Sequence, residues 1–223
     1  MMTTDSIDTA APSQPRSIPD VVAGVRRTFA AGRTRPVEWR RAQLTALSKM
    51  MSENETRIAE ALATDLGRKP FEAWLADVAS VVAEADDAAK NVGKWTKRKH
   101  RLLERSQLPG RAWIEYEPYG TVLIIGAWNF PFYLTLGPMV GALAAGNTVV
   151  LKPSEIAPAS SRLMVELVEK YLDTSAVAVV EGDGMVSQEL IAQGFDRIMF
   201  TGGTEIGKKI MAAAAPHLTP VTL

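Results

Sequence analysis

The spacing of apolar side chains predicts that the chain is helical up to about residue 111. In the first of these elements Val21, Val25 and Phe29 recur every four positions and line one face of a helix. Ser52 and Glu55 form the pattern of a capping box, which predicts that a new helix begins at Ser52. The predicted helices cover residues 18–31, 37–51, 52–66 and 71–95.

From about residue 112 the pattern changes to short apolar runs separated by helical segments. A short strand is expected around Trp113, Ile114 and Tyr116. Further strands are predicted at residues 121–125, 148–151, 176–180 and 197–200, with helices at 131–145, 159–172, 187–193 and 205–215. Strands that alternate with helices of this length form parallel sheets with crossover helices, so the sequence predicts an α/β fold.

Composition and charge exclude several classes of function but do not identify one. The 223 residues are 47% hydrophobic, and 25 basic residues balance 25 acidic ones. This balance gives no reason to expect nucleic acid or an anionic membrane as a partner. No apolar run reaches the ~18 residues of a membrane helix. Residues 1–17 lack the apolar core of a secretory signal, so we expect a disordered leader and a cytoplasmic protein.

Cysteine and histidine usage excludes several kinds of chemistry. The chain contains no cysteine and only two histidines, His100 and His217. Disulfides, zinc sites built on cysteine or histidine clusters, and a thiol nucleophile within this sequence are therefore excluded. Neither histidine stands in the context of a Ser-His-Asp triad, and no metal site is predicted.

Residues 94–111 carry seven Lys or Arg residues against one acid, Glu104. A run of this kind is usually a solvated connector, and that is the interpretation we favour. A patch that binds nucleic acid is the weaker alternative, because only Trp95 and Trp113 flank the run as aromatic residues.

Polar or glycine-rich segments follow each predicted buried strand, at the edge where open parallel sheets bind ligands. Residues 201–207 form a glycine-rich turn that leads into a helix and suits a phosphate. Thr204 replaces the middle glycine of the dinucleotide fingerprint, so a turn without a ligand is an equal alternative. Lys152 and Glu155 could reach a ribose or a phosphate, or belong to an ordinary loop. Asn129 offers an amide donor suited to an oxyanion hole, or is simply a turn residue.

In combination these segments resemble the aldehyde dehydrogenase superfamily in their order and spacing. The matching segments are Tyr119-Gly120-Thr121, Trp128-Asn129-Phe130-Pro131, Gly146 to Glu155, and Phe200 to Lys208. The amino-acid sequence of residues 213–223 is similar to that of the class-three branch of the superfamily. Members of that branch, and bacterial coniferyl-aldehyde relatives, oxidise medium-chain, long-chain or aromatic aldehydes with NAD or NADP.

The resemblance implies a division of the chain and a role for individual residues. It implies a helical segment (18–111), a strand of a bridging hairpin (112–118) and an NAD(P)-binding Rossmann-like core (119–223). Asn129 would bind the oxyanion, and Phe130 and Tyr133 would line the aldehyde channel. The implied cofactor contacts are Trp128, Lys152, Ser154, Glu155, Gly184, Gly202, Gly203, Thr204 and Gly207. Gly203 departs from the usual serine, which removes a hydroxyl that faces the pyrophosphate.

Two essential groups of the family are missing from this sequence. In the family a cysteine thiolate attacks the aldehyde, hydride passes to the nicotinamide, and a glutamate then activates water. That glutamate directly follows a pair like Thr222-Leu223, and the cysteine comes later. We therefore expect a fragment that is inactive alone, derived from a homodimeric enzyme that takes an aldehyde and a nicotinamide cofactor. The alternative is a truly short protein that binds a nucleotide or a partner without catalysis.

Overall fold

The computed structural model describes residues 17–223, so the predicted leader lies outside the described residues except for Ser17. Helical elements follow one another up to Trp95, and strands alternate with helices from Thr121 onward, as the apolar pattern predicts. Its α-helices are α1 (Ile18–Ala30), α2 (Val37–Glu53), α3 (Glu55–Leu66), α4 (Pro70–Ala73), α5 (Ala79–Trp95), α6 (Tyr133–Ala145), α7 (Pro158–Tyr171), α8 (Gly184–Ile191) and α9 (Thr204–Ala214). Its strands are β1 (Lys99–Arg101), β2 (Ala112–Ile114), β3 (Thr121–Ile125), β4 (Thr148–Lys152), β5 (Val177–Val179), β6 (Arg197–Phe200) and β7 (Val221–Thr222).

Strands β3 to β7 form one parallel sheet in the order β5, β4, β3, β6, β7. Every residue of the neighbouring strands β3 and β4 is buried. Strands that are buried on both faces have continuous apolar runs instead of alternating ones, which is why the sequence shows them clearly. The predicted α/β class is confirmed.

Helices cover both faces of this sheet. Successive side chains of a strand point to opposite faces, so Ile124 and Leu151 pack into a core with helices α2, α5, α6 and α7. Leu123 and Val150 face the other way and pack with α1, α8 and α9. The carboxyl edge of the sheet, where β3, β4 and β6 end, lies between these two layers of helices.

The predicted capping box at Ser52 is wrong. Helix α2 continues to Glu53, and the Ser52 hydroxyl donates to the main-chain carbonyl of Ser48 at 2.9 Å, so it is satisfied inside the helix. The interruption comes at Asn54, whose backbone leaves the helical region, and α3 begins at Glu55. Ser52 lies four residues after Ser48, so its hydroxyl reaches the Ser48 carbonyl because the helix continues through both residues, and it does not cap a new helix.

The helix predicted from residue 71 to about residue 95 contains a π-helical stretch, Trp74–Val78, between α4 and α5. A π-helical turn holds one more residue than an α-helical turn and is frequent at functional sites. This stretch carries Asp77, a carboxylate with no exposed surface.

The basic segment at residues 94–111 is exposed, as predicted, but it contains a strand. Strand β1 pairs with β2 in an antiparallel hairpin in which His100 lies opposite Trp113. Arg98 forms an ion pair with Glu115 at 2.7 Å and lies 5.1 Å from the centre of the Trp113 ring. Because every residue of β1 is exposed, no alternation of apolar and polar residues marks it. The strand predicted to reach Tyr116 ends at Ile114.

The described part of the chain contains neither a membrane-spanning helix nor a cluster of metal-binding side chains. Among residues 17–223 no helix combines the length and apolar character needed to cross a membrane. Over the same residues no group of three or more His, Cys, Asp or Glu side chains could hold a metal ion.

Candidate functional site at the carboxyl edge of the sheet

The segments that follow β3, β4 and β6 begin side by side. Ile125, the last residue of β3, is paired with Lys152 of β4 on one side and with Phe200 of β6 on the other. The Gly126 N–H donates to the Lys152 carbonyl at 3.0 Å, and the Thr201 N–H donates to the Ile125 carbonyl at 3.2 Å. The sheet therefore brings together three of the four segments that the sequence singled out.

Lys152 is a buried cation at this edge. Only 2% of it is exposed, and its Nζ lies 2.5 Å from the Glu155 carboxylate. Partial burial alone would raise the pKa of Glu155, but the hydrogen bond and charge of Lys152 outweigh burial and hold that pKa below its ordinary value. The pair therefore presents a preformed donor and an ionised acceptor, as a ligand with hydroxyl groups requires.

Ser154 shapes the turn between these two residues. It is buried, its hydroxyl accepts from the Ile156 N–H at 3.3 Å, and its carbonyl accepts from the Ala157 N–H at 3.2 Å. Its hydroxyl is therefore used within the loop, which fixes the position of Glu155 at the rim.

The glycine-rich turn leads directly into α9. The carbonyl of Gly203 accepts from the N–H groups of Ile206 and Gly207 at 3.1 and 3.0 Å, and the helix begins at Thr204. Gly202 lies against the Phe200 ring, so a Cβ there would come within 3.0 Å of ring atoms. A Cβ on Gly203 would meet no atom within 4 Å. The turn thus leaves open space in front of a helix amino terminus, which favours an anionic group.

Gly184 lies elsewhere, after the edge strand β5. It is the first residue of α8, whose amino terminus is capped by Asp183 through hydrogen bonds from the Met185 and Val186 N–H groups. A carboxylate already occupies this helix end, so an anion is better placed at α9. A Cβ on Gly184 would meet no atom within 4 Å, which leaves room for a neutral group.

The segment after β3 presents Trp128, Asn129 and Phe130 at the surface, followed by the buried Pro131 and Phe132. Asn129 and Phe130 line a cavity of about 340 Å³ together with Trp128 and residues 66–68 and 72. Arg68 donates to the main-chain carbonyl of Asn129 at 2.5 Å and lies 4.6 Å from the centre of the Phe130 ring.

Three residues of this region were not predicted from the sequence, namely Arg68, Asp77 and Glu84. Asp77 accepts hydrogen bonds from Arg68 and from the N–H groups of Phe132 and Tyr133. Glu84 accepts from the Tyr133 hydroxyl at 2.9 Å. The one hint for Asp77 was that it is the only charged residue between Ala73 and Ala83.

A larger cavity, of about 820 Å³, lies away from these residues between α1, α7 and the edge strand β5. Its walls include Val179 and Glu181, and none of the residues assigned to the site from the resemblance lines it. The charged and glycine-rich segments that could bind a ligand lie at the carboxyl edge, so the larger cavity does not mark the candidate site.

The protein is therefore an open α/β sheet protein, with a candidate nucleotide site at the carboxyl edge where the central strands of the sheet end. The family model described as the aldehyde dehydrogenase family matches residues 2–223, so the chain belongs to the aldehyde dehydrogenase family. It is 46% identical over 199 residues to aldehyde dehydrogenase family 3 member F1 of Arabidopsis thaliana, covering 89% of this chain and 41% of that protein. It is 44% identical over 207 residues to the rat (Rattus norvegicus) aldehyde dehydrogenase, dimeric NADP-preferring, covering 93% and 46%.

Solved structures agree with this membership. The substrate-bound state of Staphylococcus aureus AldH superposes with a TM-score of 0.91 at 37% identity, covering 94% of this chain and 46% of that one. P. syringae AldA, an indole-3-acetaldehyde dehydrogenase in complex with NAD+, superposes with a TM-score of 0.81 at 25% identity, covering 92% and 42%. The chain spans less than half the length of each of these relatives, and the shared region is their Rossmann-like amino-terminal part.

Proposed function

We propose that this chain is the cofactor-binding half of an aldehyde dehydrogenase that uses NAD or NADP to oxidise a medium-chain, long-chain or aromatic aldehyde to the acid. The observation that carries the proposal is the position of Ile125 between Lys152 and Phe200, which sets the cation and the glycine-rich turn on either side of β3. The names of two similar proteins, one NADP-preferring and one solved with NAD+, support a nicotinamide cofactor.

The residues at the edge fit such a cofactor. The open space before Thr204 and the N–H groups of α9 suit a pyrophosphate. Because Gly202, Gly203 and Gly207 have no side chains, a pyrophosphate could approach the backbone of the turn closely. The Lys152–Glu155 pair suits the ribose hydroxyls, with Ser154 fixing the loop between them. Gly184 and Trp128 would border the two ends of the cofactor. When bound, the nicotinamide accepts the hydride.

The segment after β3 suits the aldehyde. The Asn129 side chain would donate its amide to the oxygen of the substrate where negative charge develops, and a donor fixed in advance is effective there. Phe130 and Tyr133 would line the approach of an apolar aldehyde. The nucleophile and the general base are not assigned to any residue of this chain, which contains no cysteine. Residues 1–223 alone are therefore proposed to bind the cofactor without oxidising an aldehyde.

Two measurements test this function. Calorimetric titration of residues 1–223 with NAD and NADP is expected to give saturable heat with at least one of them. The protein as its source cells make it is expected to oxidise octanal or benzaldehyde, and Asn129→Ala is expected to lower kcat on the order of 100-fold. Turnover by residues 1–223 that disappears with Asn129→Ala, or a source protein that binds cofactor but oxidises neither aldehyde, would contradict the proposal.

A second candidate function is nucleotide or partner binding without catalysis. The absence of cysteine from the chain favours it. The intact mass of the protein from its source cells separates the two candidates. A mass near 24.2 kDa together with cofactor binding would favour the second candidate, and a mass about twice as large would favour the enzyme.

Assembly and location are further parts of the proposal. We propose a homodimer of the whole protein in the cytoplasm. The half-exposed Trp113 and the neighbouring Ile114, on a hairpin that is separate from the five-stranded sheet, support a contact between subunits. Light scattering of the source protein and cell fractionation test the two points.

A further inference from the structure

We propose that Arg68 and Asp77 are positioning residues which clamp the segment Trp128–Tyr133 and thereby set the direction of the Asn129 amide. The inference rests on the proposed function, because it assigns these two residues a purpose in aldehyde oxidation. Neither residue is placed against the cofactor or the reacting atoms, so both act through the segment that they hold.

Arg68 holds the start of the segment. Its Nη2 donates to the main-chain carbonyl of Asn129 at 2.5 Å, and the face of the Phe130 ring lies 4.6 Å from the centre of its guanidinium group. A hydrogen bond to the carbonyl of a residue restricts rotation of the peptide that follows it. Arg68 therefore restrains the backbone that carries the Asn129 side chain, and it restrains the neighbouring ring.

Asp77 holds the end of the segment. Its Oδ1 accepts from the N–H groups of Phe132 and Tyr133, both at 3.0 Å. Phe132 is the N-cap residue and Tyr133 the first residue of α6, so neither N–H has a partner inside that helix. Because Pro131 lies between the two held ends and fixes its own φ, little freedom remains for the segment as a whole.

An ion pair joins the two ends of the clamp. Nη1 of Arg68 lies 2.5 Å from Oδ2 of Asp77, whose side chain has no exposed surface, whereas the side chain of Arg68 is 15% exposed. Burial raises the pKa of Asp77, and the N–H of Tyr133, the charge of Arg68 and the N–H of Phe132 oppose that rise. Loss of Arg68 would leave a buried carboxylate without its counter-charge, so the two residues act as one unit.

The geometry requires an arginine and the π-helical stretch. One planar guanidinium serves the carboxylate and the carbonyl at once, whereas a lysine ammonium is a single point that cannot span both in the same way. Asp77 reaches the segment from Trp74–Val78, where the wider helical turn redirects the side chain. An α-helical turn at this place would point residue 77 in a different direction.

The test uses the protein as its source cells make it, with variants Arg68→Gln and Arg68→Lys. We expect kcat to fall on the order of tenfold with Arg68→Gln while KM for the cofactor stays unchanged, because a small misplacement of a catalytic group is costly. Arg68→Lys is expected to lie between Arg68→Gln and the unchanged protein. Arg57→Gln breaks an ion pair of similar length, 2.6 Å, that joins α3 to Glu166 on α7, and it is expected to leave kcat unaltered.

A double variant shows whether Arg68 acts through Asn129. If it does, Arg68→Gln combined with Asn129→Ala is no slower than Asn129→Ala alone. Losses that multiply, or an equal fall in kcat with Arg57→Gln, would overturn the proposal and leave a purely structural role.

Hydrogen exchange separates failure of the clamp from failure of the proposed function. If the source protein oxidises no aldehyde, the proposed function fails. The clamp is then judged on residues 1–223 by exchange of the Phe132 and Tyr133 main-chain amides. Asp77→Ala is expected to speed both at least about tenfold relative to amides of β3, as loss of a hydrogen bond predicts. Unchanged exchange in a folded variant would refute the clamp.

Discussion

The Nζ of Lys152 lies 2.5 Å from Oε2 of Glu155 although the two side chains occupy different environments. The lysine side chain is 3% exposed and ends the central strand β4, whereas the glutamate side chain is 46% exposed on the loop beyond it. A buried ammonium needs a partner, and Glu155 supplies one at the point where β4 opens onto the carboxyl edge. The site is therefore organised before any ligand arrives.

The first prediction concerns the cation of this pair. Lys152→Met keeps the apolar stem and removes the ammonium, so it is expected to weaken binding of NAD to residues 1–223 about tenfold, the usual loss for a hydrogen bond to a charged donor. Titration calorimetry measures the change. Lys49→Ala removes a lysine paired with Glu53 at 3.6 Å on the exposed face of α2 and serves as the control. Equal affinity of Lys152→Met and the unchanged chain would remove Lys152 from the site.

The second prediction concerns the choice between NAD and NADP. The Glu155 carboxylate is ionised at neutral pH, because its pKa is lowered, and it repels a 2′-phosphate. Glu155→Gln keeps the size of the side chain and removes the charge. The ratio of the NADP to the NAD dissociation constant is expected to fall several-fold, which corresponds to about 1 kcal/mol for two charges about 4 Å apart in a well-solvated site. An unchanged ratio would place the 2′ position away from Glu155.

The buried parts of the fold were predictable from the sequence. Strands β3 and β6 have the predicted bounds. Every residue of β3 is buried, and β6 alternates half-buried with buried residues, so each strand leaves a short apolar signal in the sequence. Strand β1 is exposed throughout, and β7 has only two residues. Neither provides the run or alternation from which a strand can be inferred, so both were missed.

The candidate site was predictable only as far as its residues follow strands. Lys152, Glu155 and Gly202 could be found because a parallel sheet places all its carboxyl ends at one edge. Arg68 and Asp77 could not, because their partners lie far away along the chain. Arg68 precedes Asn129 by 61 positions, and Asp77 precedes Phe132 by 55. Such contacts depend on how α3, the π-helical stretch and α6 pack, and no local pattern records that packing.

The third prediction contrasts two neighbouring glycines of the turn before α9. Gly202→Ala would place a Cβ within 3.0 Å of the Phe200 ring, so the free energy of unfolding is expected to fall by about 2 kcal/mol, typical of overpacking. Gly203→Ala meets open space and is expected to change it by less than about 0.5 kcal/mol. Urea denaturation measures both. Equal losses in the two variants would show that backbone freedom, and not the ring, requires glycine here.

The fourth prediction concerns acid stability. Burial alone would raise the pKa of Asp173, but hydrogen bonds from Ser175, Arg33 and Trp39 outweigh burial and lower it from 3.8 to about 2. A carboxylate whose pKa is lowered by folding stabilises the fold above its unfolded pKa and loses that effect as the pH falls towards its folded pKa.

Asp173→Asn is therefore expected to lower the free energy of unfolding by about 1 kcal/mol at pH 7, after allowance for solvent screening. The difference from the unchanged chain should disappear between about pH 4 and pH 2. Urea denaturation at several pH values measures it, with Asp86→Asn, an exposed carboxylate on α5, as the control. A difference that persists undiminished to pH 2 would show that the ionised form of Asp173 is not the source of the stabilisation.

The fifth prediction concerns Tyr133, whose hydroxyl donates to Glu84 at 2.9 Å. That hydrogen bond, followed by the charge of Glu84 and by burial, raises the pKa of Tyr133 above its ordinary value, because a phenolate would lose the bond and face a carboxylate. Glu84→Gln removes the charge and is expected to bring the pKa down towards 10.0, the ordinary value. Absorbance of ionised tyrosine measures it, with Tyr133→Phe identifying this residue among the four tyrosines of the chain. Glu38→Gln, an exposed residue of α2, should leave the titration unchanged. A titration that Glu84→Gln also leaves unchanged would show that the pair does not persist in solution.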